Sequence, residues 1–272
     1  MSRARVGAYA LWQLRDYLKE RGLSTIIVAA LTAYLGLSTM TEAMPMPRPD
    51  DAISAELLVR FGSIDAVYTA RMAEFNFHFT RSILGALVFL GALFAMNGIV
   101  ANDRKLGFFR FLFAKPLTPS RYYGQAFMVH WLGFMVVMTL LGMSYGVVVS
   151  PVLTAPLLAV VALMFLAYAG IAFLLSAAAR WDWLSLVVVT VAATFFWSKF
   201  GRSTHPLAKL LYLLPPMHRV DEVYVAVSGT PLLSAAPAAP VPWPLVGWLA
   251  GYGAICFLAG LLVLRVRRLA IV

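Results

Sequence analysis

Long apolar stretches without acidic residues recur along this sequence and alternate with shorter polar segments. Six stretches have this character: 22–40, 82–101, 124–150, 157–179, 183–200 and 243–264. A helix rises about 1.5 Å per residue, so about 20 apolar residues cross a bilayer core of about 30 Å. The fifth stretch is uncharged over only 183–198, but Lys199 can reach toward the headgroups and lengthen it. The pattern predicts an all-α integral membrane protein in which residues 1–272 form one domain with six transmembrane helices.

Composition and charge define the class and the orientation. The chain is 61% apolar and 12% charged, against roughly 25% charged in typical soluble domains. Its net charge of +10 first raises the possibility of a nucleic-acid partner. If residues 1–21 are cytoplasmic, however, the inner segments hold 14 of the 22 Lys and Arg and four of the 12 acids. The outer segments then hold eight of each, so the excess follows the positive-inside rule. We expect both termini in the cytoplasm and no nucleic-acid binding.

The segments between the spans differ in character. Residues 1–21 place apolar side chains at helical spacing, which predicts an amphipathic helix in the inner membrane interface; a merely basic flank is the alternative. Residues 41–81 form an outer loop without a ligand-binding pattern, and we expect its mixed-polarity stretch from Ala52 to be helical. Residues 201–242 are Pro-rich, and their apolar part, 207–217, is too short to cross. They form either a re-entrant segment buried by protein or a surface helix. Residues 265–272 are a cytoplasmic tail.

Catalytic and metal-binding patterns are absent from the sequence. The single cysteine, Cys256, excludes disulfides within the chain, and the four histidines lack the spacing of metal ligands. His130 lies within a span, where a neutral imidazole bonded to a neighbouring helix is the commoner arrangement. We therefore predict no catalytic residue and no metal site.

Two pairs of glycines lie four residues apart inside predicted spans. Gly142 and Gly146 formally match the G-x-S-x-G elbow of serine hydrolases, but that motif requires a strand-to-helix turn. Gly247 and Gly251 repeat the spacing in the last span. Small residues four apart let helix backbones approach closely, so we predict helix packing at both pairs.

The sequence shows no site at which this chain could obtain energy from ATP or from a proton gradient. Its five lysines are followed by Glu, Leu, Pro, Phe and Leu, so no P-loop is present, and we expect no cofactor in this chain. All twelve acids lie outside the predicted spans, which disfavours a proton relay through them.

The segment 102–123 combines basic and aromatic residues on the predicted inner side. Five large apolar residues, from Phe108 to Phe113, are interleaved with Arg104, Lys105, Arg110 and Lys115. A solvated loop does not need such residues. Pro116 and Pro119 interrupt a helix, so the segment predicts a short helix from about Asp103 to Ala114.

This segment, NDRKLGFFRFLFAKPLTPSR, resembles the cytoplasmic loop between spans 2 and 3 of ABC-2 type transporter permeases. That family shows an acidic-basic pair, a Gly, an apolar helical stretch, and then Pro-Leu/Val-Ser/Thr before the third span. The matching positions here are Asp103, Arg104, Gly107, Leu112, Ala114, Pro116, Leu117, Thr118 and Arg121. The acid often found two residues before the Gly is Lys105 in this chain. The remainder resembles the family in layout.

The resemblance implies that the loop holds a coupling helix that docks on a separate ABC ATPase subunit, where ATP and Mg would bind. The coupling residues it implies are Asp103, Arg104, Gly107, Phe108, Phe109, Arg110, Leu112, Phe113, Pro116 and Arg121. It further implies a dimer with a second permease copy or a paralogue, in the inner membrane of a bacterium, with export as the commoner direction. The alternative is a membrane scaffold or channel without an ATPase, whose Phe-rich loop lies on anionic lipid.

Overall fold

A computed structural model of the chain describes residues 3–96, 99–100, 103, 118–178, 182–229 and 240–266. Within these ranges the regular structure is helical, without strands. The α-helices are α1 (Arg3–Tyr17), α2 (Leu23–Ala43), α3 (Ala55–Phe61), α4 (Ile64–Met96), α5 (Pro119–Val148), α6 (Ala155–Ala178), α7 (Asp182–Phe200), α8 (Val220–Ser228) and α9 (Trp243–Val266). The predicted all-α class is confirmed.

Five of these helices are long and apolar enough to cross a membrane: α2, α4, α5, α6 and α9. The apolar part of α7, Ser185–Phe200, is shorter. Five helices of this kind indicate a multi-pass membrane protein. Their bounds lie close to the predicted spans, except that α4 begins at Ile64 and therefore includes much of the predicted outer loop.

Contacts between α4 and α5 show that the two helices are antiparallel. The ring of Phe134 fills the space beside Gly91, where a Cβ would collide with it. Farther along, the Tyr145 hydroxyl donates to Asn76 Oδ1 at 2.8 Å. We call the end of the bundle where Asn76 and Tyr145 meet the distal end. The opposite end, where α4 ends and α5 begins, is the basal end.

α6 and α9 run parallel to each other toward the basal end. A Cβ at Gly170 would collide with the backbone of Gly253, and one at Gly260 would lie 2.7 Å from Phe173 Cδ1. Later positions in α6 thus contact later positions in α9, as they do in a parallel pair of helices. α6 is also the central helix, because 61% of its most apolar window is buried, against 11% for α2.

α7 runs from the basal end to the distal end. It begins at Asp182, soon after α6 ends. Near its other end, the indole of Trp197 stacks on the His218 imidazole with 4.3 Å between ring centroids. Trp197 also meets Tyr212 edge to face, and Tyr212 contacts Trp248 near the start of α9. The chain therefore returns to the distal end through α7 before α9 begins.

The first helix continues into the second without a non-helical residue, because Leu18–Gly22 form a π-helical segment between them. Gln13 and Tyr17 of α1 are buried, and the Tyr17 ring fills the space beside Gly133 of α5. Leu14 and Leu18 are exposed. The sequence pattern assigns Gln13 to the polar side, but the gap at Gly133 admits the Tyr17 ring, and the face that packs is therefore that of Tyr17 and Gln13.

The distal segment between α7 and α9 is packed against the bundle. Two 3-10 helices, Pro206–Leu213 and Pro216–Arg219, replace the single short helix expected from the apolar stretch. Proline limits both, since Pro cannot continue a helix interior. α8 follows, and its buried Tyr224 donates its hydroxyl hydrogen to the carbonyl oxygen of Phe77 at 3.1 Å.

Candidate functional site at the basal end

The structure describes the two ends of the predicted coupling loop. Of its ten predicted coupling residues, Asp103 and Arg121 belong to the described part of the chain. The other eight lie outside the described residues: Arg104, Gly107, Phe108, Phe109, Arg110, Leu112, Phe113 and Pro116. The site is therefore built from the residues that hold the two ends of segment 104–117.

The first end is held against α6. The backbone N–H of Val100 donates to Ser176 Oγ at 3.3 Å, and both residues are almost completely buried. A backbone donor removed from water needs such a partner, because leaving it unsatisfied costs about 1–3 kcal/mol. Ser176 thus fixes the chain at the point where it leaves α4.

The same end is also joined to α5. The Tyr123 hydroxyl donates to Asp103 Oδ2 at 3.0 Å. The Tyr123 side chain is completely buried, and its ring lies 6.0 Å from that of Phe173 on α6. A hydrogen bond to a carboxylate is stronger than one between neutral groups, so Asp103 has a defined position over the first turn of α5.

The entry into α5 has the geometry expected of a helix start. Thr118 is extended, with φ −81° and ψ 143°, and Pro119 occupies the first helical turn. Proline is favoured there because it lacks the N–H that the first turn leaves unbonded. The next residue, Ser120, accepts a hydrogen bond from Arg265 Nε at 3.0 Å. This contact brings the end of α9 to the base, where the Arg121 side chain is exposed.

These contacts bring four helix ends together at the base. α4 contributes its last residues, α5 its first turn, and α6 and α9 their last turns. Asp103 and Thr118, the described residues on either side of segment 104–117, therefore both lie at the basal end. The arrangement can transmit a displacement of that segment to α5 and α6, and it contains no group in position for covalent chemistry among the residues described.

Tyr123 and Ser176 are not among the residues predicted from sequence. The available signal was weak: each is a hydroxyl residue at the end of a predicted span that borders the basic side. Such positions are usually occupied by interfacial side chains, so the sequence alone does not distinguish an anchor from one of these.

The predicted glycine pairs lie in two different environments. A Cβ at Gly142 would lie 2.8 Å from Leu153 Cδ1, and one at Gly146 would make ordinary contact with Pro151. That pair therefore faces the short turn between α5 and α6. Gly247 and Gly251 have open space in place of a Cβ. No described residue covers this face of α9 at the two glycines.

The closest backbone contact involves glycines that the four-residue spacing does not select. A Cβ at Gly253 would lie 2.6 Å from the carbonyl oxygen of Leu166 and 2.8 Å from Ala167 Cα. Gly260 lies seven residues later on the same face and meets Phe173. A seven-residue spacing keeps two positions on one helix face, and this spacing is the signal for the pair that the sequence contains.

His130 is buried within α5, and its ring centroid lies 4.9 Å from that of Tyr17. This packing between helices is the kind of environment expected for a structural histidine. Across the ranges that the structure describes, no group of three or more His, Cys, Asp and Glu side chains could hold a metal ion.

The comparisons with known proteins give no family for this arrangement. The chain matches no protein-family model, no curated protein and no solved structure.

Proposed function

We propose that this chain is the membrane subunit of an ABC-2 type transporter, an exporter whose ATP is hydrolysed by a separate ATPase subunit. The observation that carries the proposal is the pair of anchors at the base, Val100 on Ser176 and Asp103 on Tyr123. They hold the chain just before a segment that is rich in phenylalanine and arginine, and the second anchor joins that point to α5, which begins just after the segment. A segment held in this way can serve as a docking element for another protein and move the helices that hold it.

The direction of coupling follows from the anchors. Closure of the ATPase subunits displaces the docked segment, and the displacement reaches α5 through Asp103 and α6 through Val100. Substrate then moves along the faces that these helices change. ATP and Mg belong to the partner, because the sequence of this chain has no P-loop.

We also propose six crossings rather than five. The parallel packing of Gly170 on Gly253 supports this count, since two parallel neighbours require a return crossing between them. α7 provides that crossing, and its short apolar length is extended by Lys199 at its end. With six crossings, the charge asymmetry puts the basal end and both termini in the cytoplasm, in a bacterial inner membrane.

A second permease copy or a paralogue completes the proposed assembly. The uncovered face at Gly247 and Gly251 supports a partner there, because small residues permit close helix approach. The exposed apolar side of α2 is a further surface for this partner.

The ATPase partner can be tested by changing the aromatic residues of the loop. If they fill a cleft in the ATPase, truncation of each costs about 2 kcal/mol or more of binding, as for interface hot spots. Phe109→Ala combined with Phe113→Ala should therefore release the ATPase during purification while the permease remains in the membrane. Phe196→Ala with Phe200→Ala provides the control, since both of these side chains are exposed near the distal end of α7.

Reversal of charge at Arg104 and Arg110 tests the alternative of a lipid-bound loop. Lipid attachment weakens by about 1 kcal/mol for each lost charge near an anionic surface. If charge reversal releases the ATPase and the two phenylalanine changes leave it bound and active, the docking model is wrong. If no ATPase accompanies the unaltered chain, a scaffold or channel is the better description.

A further inference from the structure

An open apolar groove runs along one face of α7. Its volume is about 410 Å³, and its walls come from a single helix: Val187, Val188, Val191, Ala192, Phe195 and Phe196. Ala192 lies at the bottom of the groove, because its side chain is smaller than those of the lining residues one turn away on either side. From Val187 to Phe196 the groove follows the helix for roughly 14 Å. Val191 is 62% exposed, so no other described element covers this face.

Positive charge closes one end of this groove. The Lys199 ammonium lies 5.7 Å from the ring centroids of both Phe195 and Phe200. Phe195 therefore belongs to the wall of the groove and to the site of the cation. Arg202 follows three residues later, in the turn after the last residue of α7, and is exposed. Neither Lys199 nor Arg202 forms an ion pair within the described part of the chain.

We propose that the groove binds one molecule of an anionic phospholipid. Its acyl chain lies along Val187 to Phe195, and its phosphate pairs with Lys199 and Arg202. The groove matches this ligand at both ends. Its branched and aromatic side chains suit a hydrocarbon chain, and two cations without an ion-pair partner among the described residues suit a phosphodiester. The quadrupoles of the Phe195 and Phe200 rings hold the Lys199 ammonium near the groove. The ammonium therefore lies where the lipid headgroup would lie.

A second copy of the chain is a poorer match for this surface. Two copies related by an axis along the membrane normal would bring Lys199 opposite Lys199, and like charges disfavour that contact. Helix pairs in membranes also favour small residues at the contact, whereas this face is formed mainly of Val and Phe. The groove is thus better suited to lipid than to another α7.

This inference does not depend on an ATPase partner or on transport, so it can be tested by binding alone. The full-length chain, with any subunits that co-purify, is titrated in native mass spectrometry with phosphatidylglycerol and with phosphatidylcholine of the same acyl chains. We expect tighter binding of phosphatidylglycerol. Lys199→Gln with Arg202→Gln should weaken it roughly tenfold or more, since each charge near a phosphate contributes on the order of a fivefold change.

Two further variants test whether lipid binding depends on Lys199, Arg202 and the groove or only on the number of cations in the chain. Arg48→Gln with Arg60→Gln removes two exposed cations elsewhere and should leave the affinity for phosphatidylglycerol unchanged. Val191→Trp fills the groove while leaving both cations in place, and it should weaken binding of both lipids. A phosphatidylglycerol with a photoreactive diazirine in its acyl chain should label peptides that contain residues 187–196.

Three results would overturn the proposal. The first is equal affinity for the two lipids in the unaltered chain. The second is equal loss of affinity in the Arg48 and Arg60 control. The third is a Val191→Trp variant that loses its oligomeric state but keeps its lipid affinity, which would assign the groove to a second copy. The melting temperature of each variant, measured in parallel, shows whether the fold is retained.

Discussion

Arg81 on α4 forms a bidentate ion pair with Asp221 on α8. Its Nε donates to Oδ1 at 2.7 Å and its Nη2 donates to Oδ2 at 2.6 Å. The two residues are 140 positions apart in sequence. This pair therefore joins the distal segment to a long membrane helix, and the nearby bond from Tyr224 to Phe77 supports the same contact. Both side chains of the ion pair remain partly exposed.

The Arg81–Asp221 pair predicts a measurable coupling energy. Exposed ion pairs contribute about 0.2–1 kcal/mol, and bidentate geometry favours the upper part of that range. A double-mutant cycle with Arg81→Gln and Asp221→Asn should give a coupling of about 0.5–1 kcal/mol in unfolding measurements. Hydrogen exchange of α8 should also become faster in either single variant.

The pair formed by Arg219 and Glu222 is the matched control for that cycle. It has the same bidentate geometry, but its residues are three positions apart within one segment. Arg219→Gln with Glu222→Gln should leave the exchange rates of α8 near those of the parent. Equal acceleration in both pairs would show that the contact to α4 is not what holds α8.

A second prediction concerns stability in mild acid. Burial, with Arg219 nearby, lowers the pKa of His218 below its ordinary value of 6.5. The folded state then prefers the neutral imidazole that stacks on Trp197, and the unfolded state binds more protons below pH 6.5. Stability from this group is complete above pH 6.5 and declines as pH falls through the window below it.

His218→Phe keeps a ring against Trp197 but cannot be protonated. The melting temperature of this variant should fall less than that of the parent between pH 7 and pH 5.5. Glu222 acts at lower pH, because the hydrogen bond from Arg219 lowers its pKa below 4.5. Glu222→Gln should therefore remove part of the decline below pH 4.5 only. If the melting temperature depends on pH identically in His218→Phe and in the parent, the decline is not due to His218.

The third prediction concerns the contact between α6 and α9. Gly253→Ala would place a Cβ against the backbone of Leu166 and Ala167 and force the helices apart. Overpacking of this kind costs about 1–3 kcal/mol, which unfolding of the purified chain can measure. Gly251→Ala, two residues away, meets open space. It should be neutral or slightly stabilising, because Ala is the better helix former.

Gly251 also provides a test of the second permease copy. Gly251→Leu is directed away from the described interior of the single chain, since a Cβ at this position has no described atom within 4 Å. A shift to a smaller oligomer in light scattering would therefore indicate contact between copies at this face. An unchanged oligomer for Gly251→Leu would show that this face of α9 points at lipid.

A fourth prediction concerns the six crossings and their orientation. In a Cys256→Ala background, cysteines at Ala52 and Gly229 should react with an impermeant reagent added to intact cells. Cysteines at Leu117 and Ile271 should react only after the membrane is opened. Ser203→Cys tests α7 directly, and we expect its labelling from outside. Protection of this position would place the end of α7 on the inner side and reduce the count to five.

The sequence predicted the helices whose length is determined by the bilayer. An uncharged run such as 157–179 has one stable arrangement in lipid, because its backbone must bond to itself, and α6 follows those bounds closely. The stretch from Ala52 was expected to be helical, but its continuation from Ile64 into the second span as one helix was not predicted. Residues 64–81 carry charge and mixed polarity, and their helix depends on packing of residues such as Asn76 and Phe75 rather than on lipid.

Side-chain partners were less accessible from sequence than helix bounds. The contact between Tyr17 and Gly133 depends on a gap that only the assembled helices create. The anchor of Asp103 on Tyr123 likewise depends on the angle at which the chain enters α5. Small-residue spacing is informative about possible close approach, but it does not identify which glycine meets a backbone. Gly253 and Gly251 illustrate this, since they are two residues apart and have opposite surroundings.

The two anchors at the base also limit how far the helices that they join can move apart. Val100 is tied to α6 and Asp103 to α5, so the stretch of three peptide bonds from 100 to 103 bridges two helices. An extended chain of that length reaches only about 10 Å. If α5 and α6 separate at the base beyond this reach, one of the two hydrogen bonds must break. This short bridge therefore sets a mechanical stop on the opening of the bundle, and whatever displaces the loop acts within that limit.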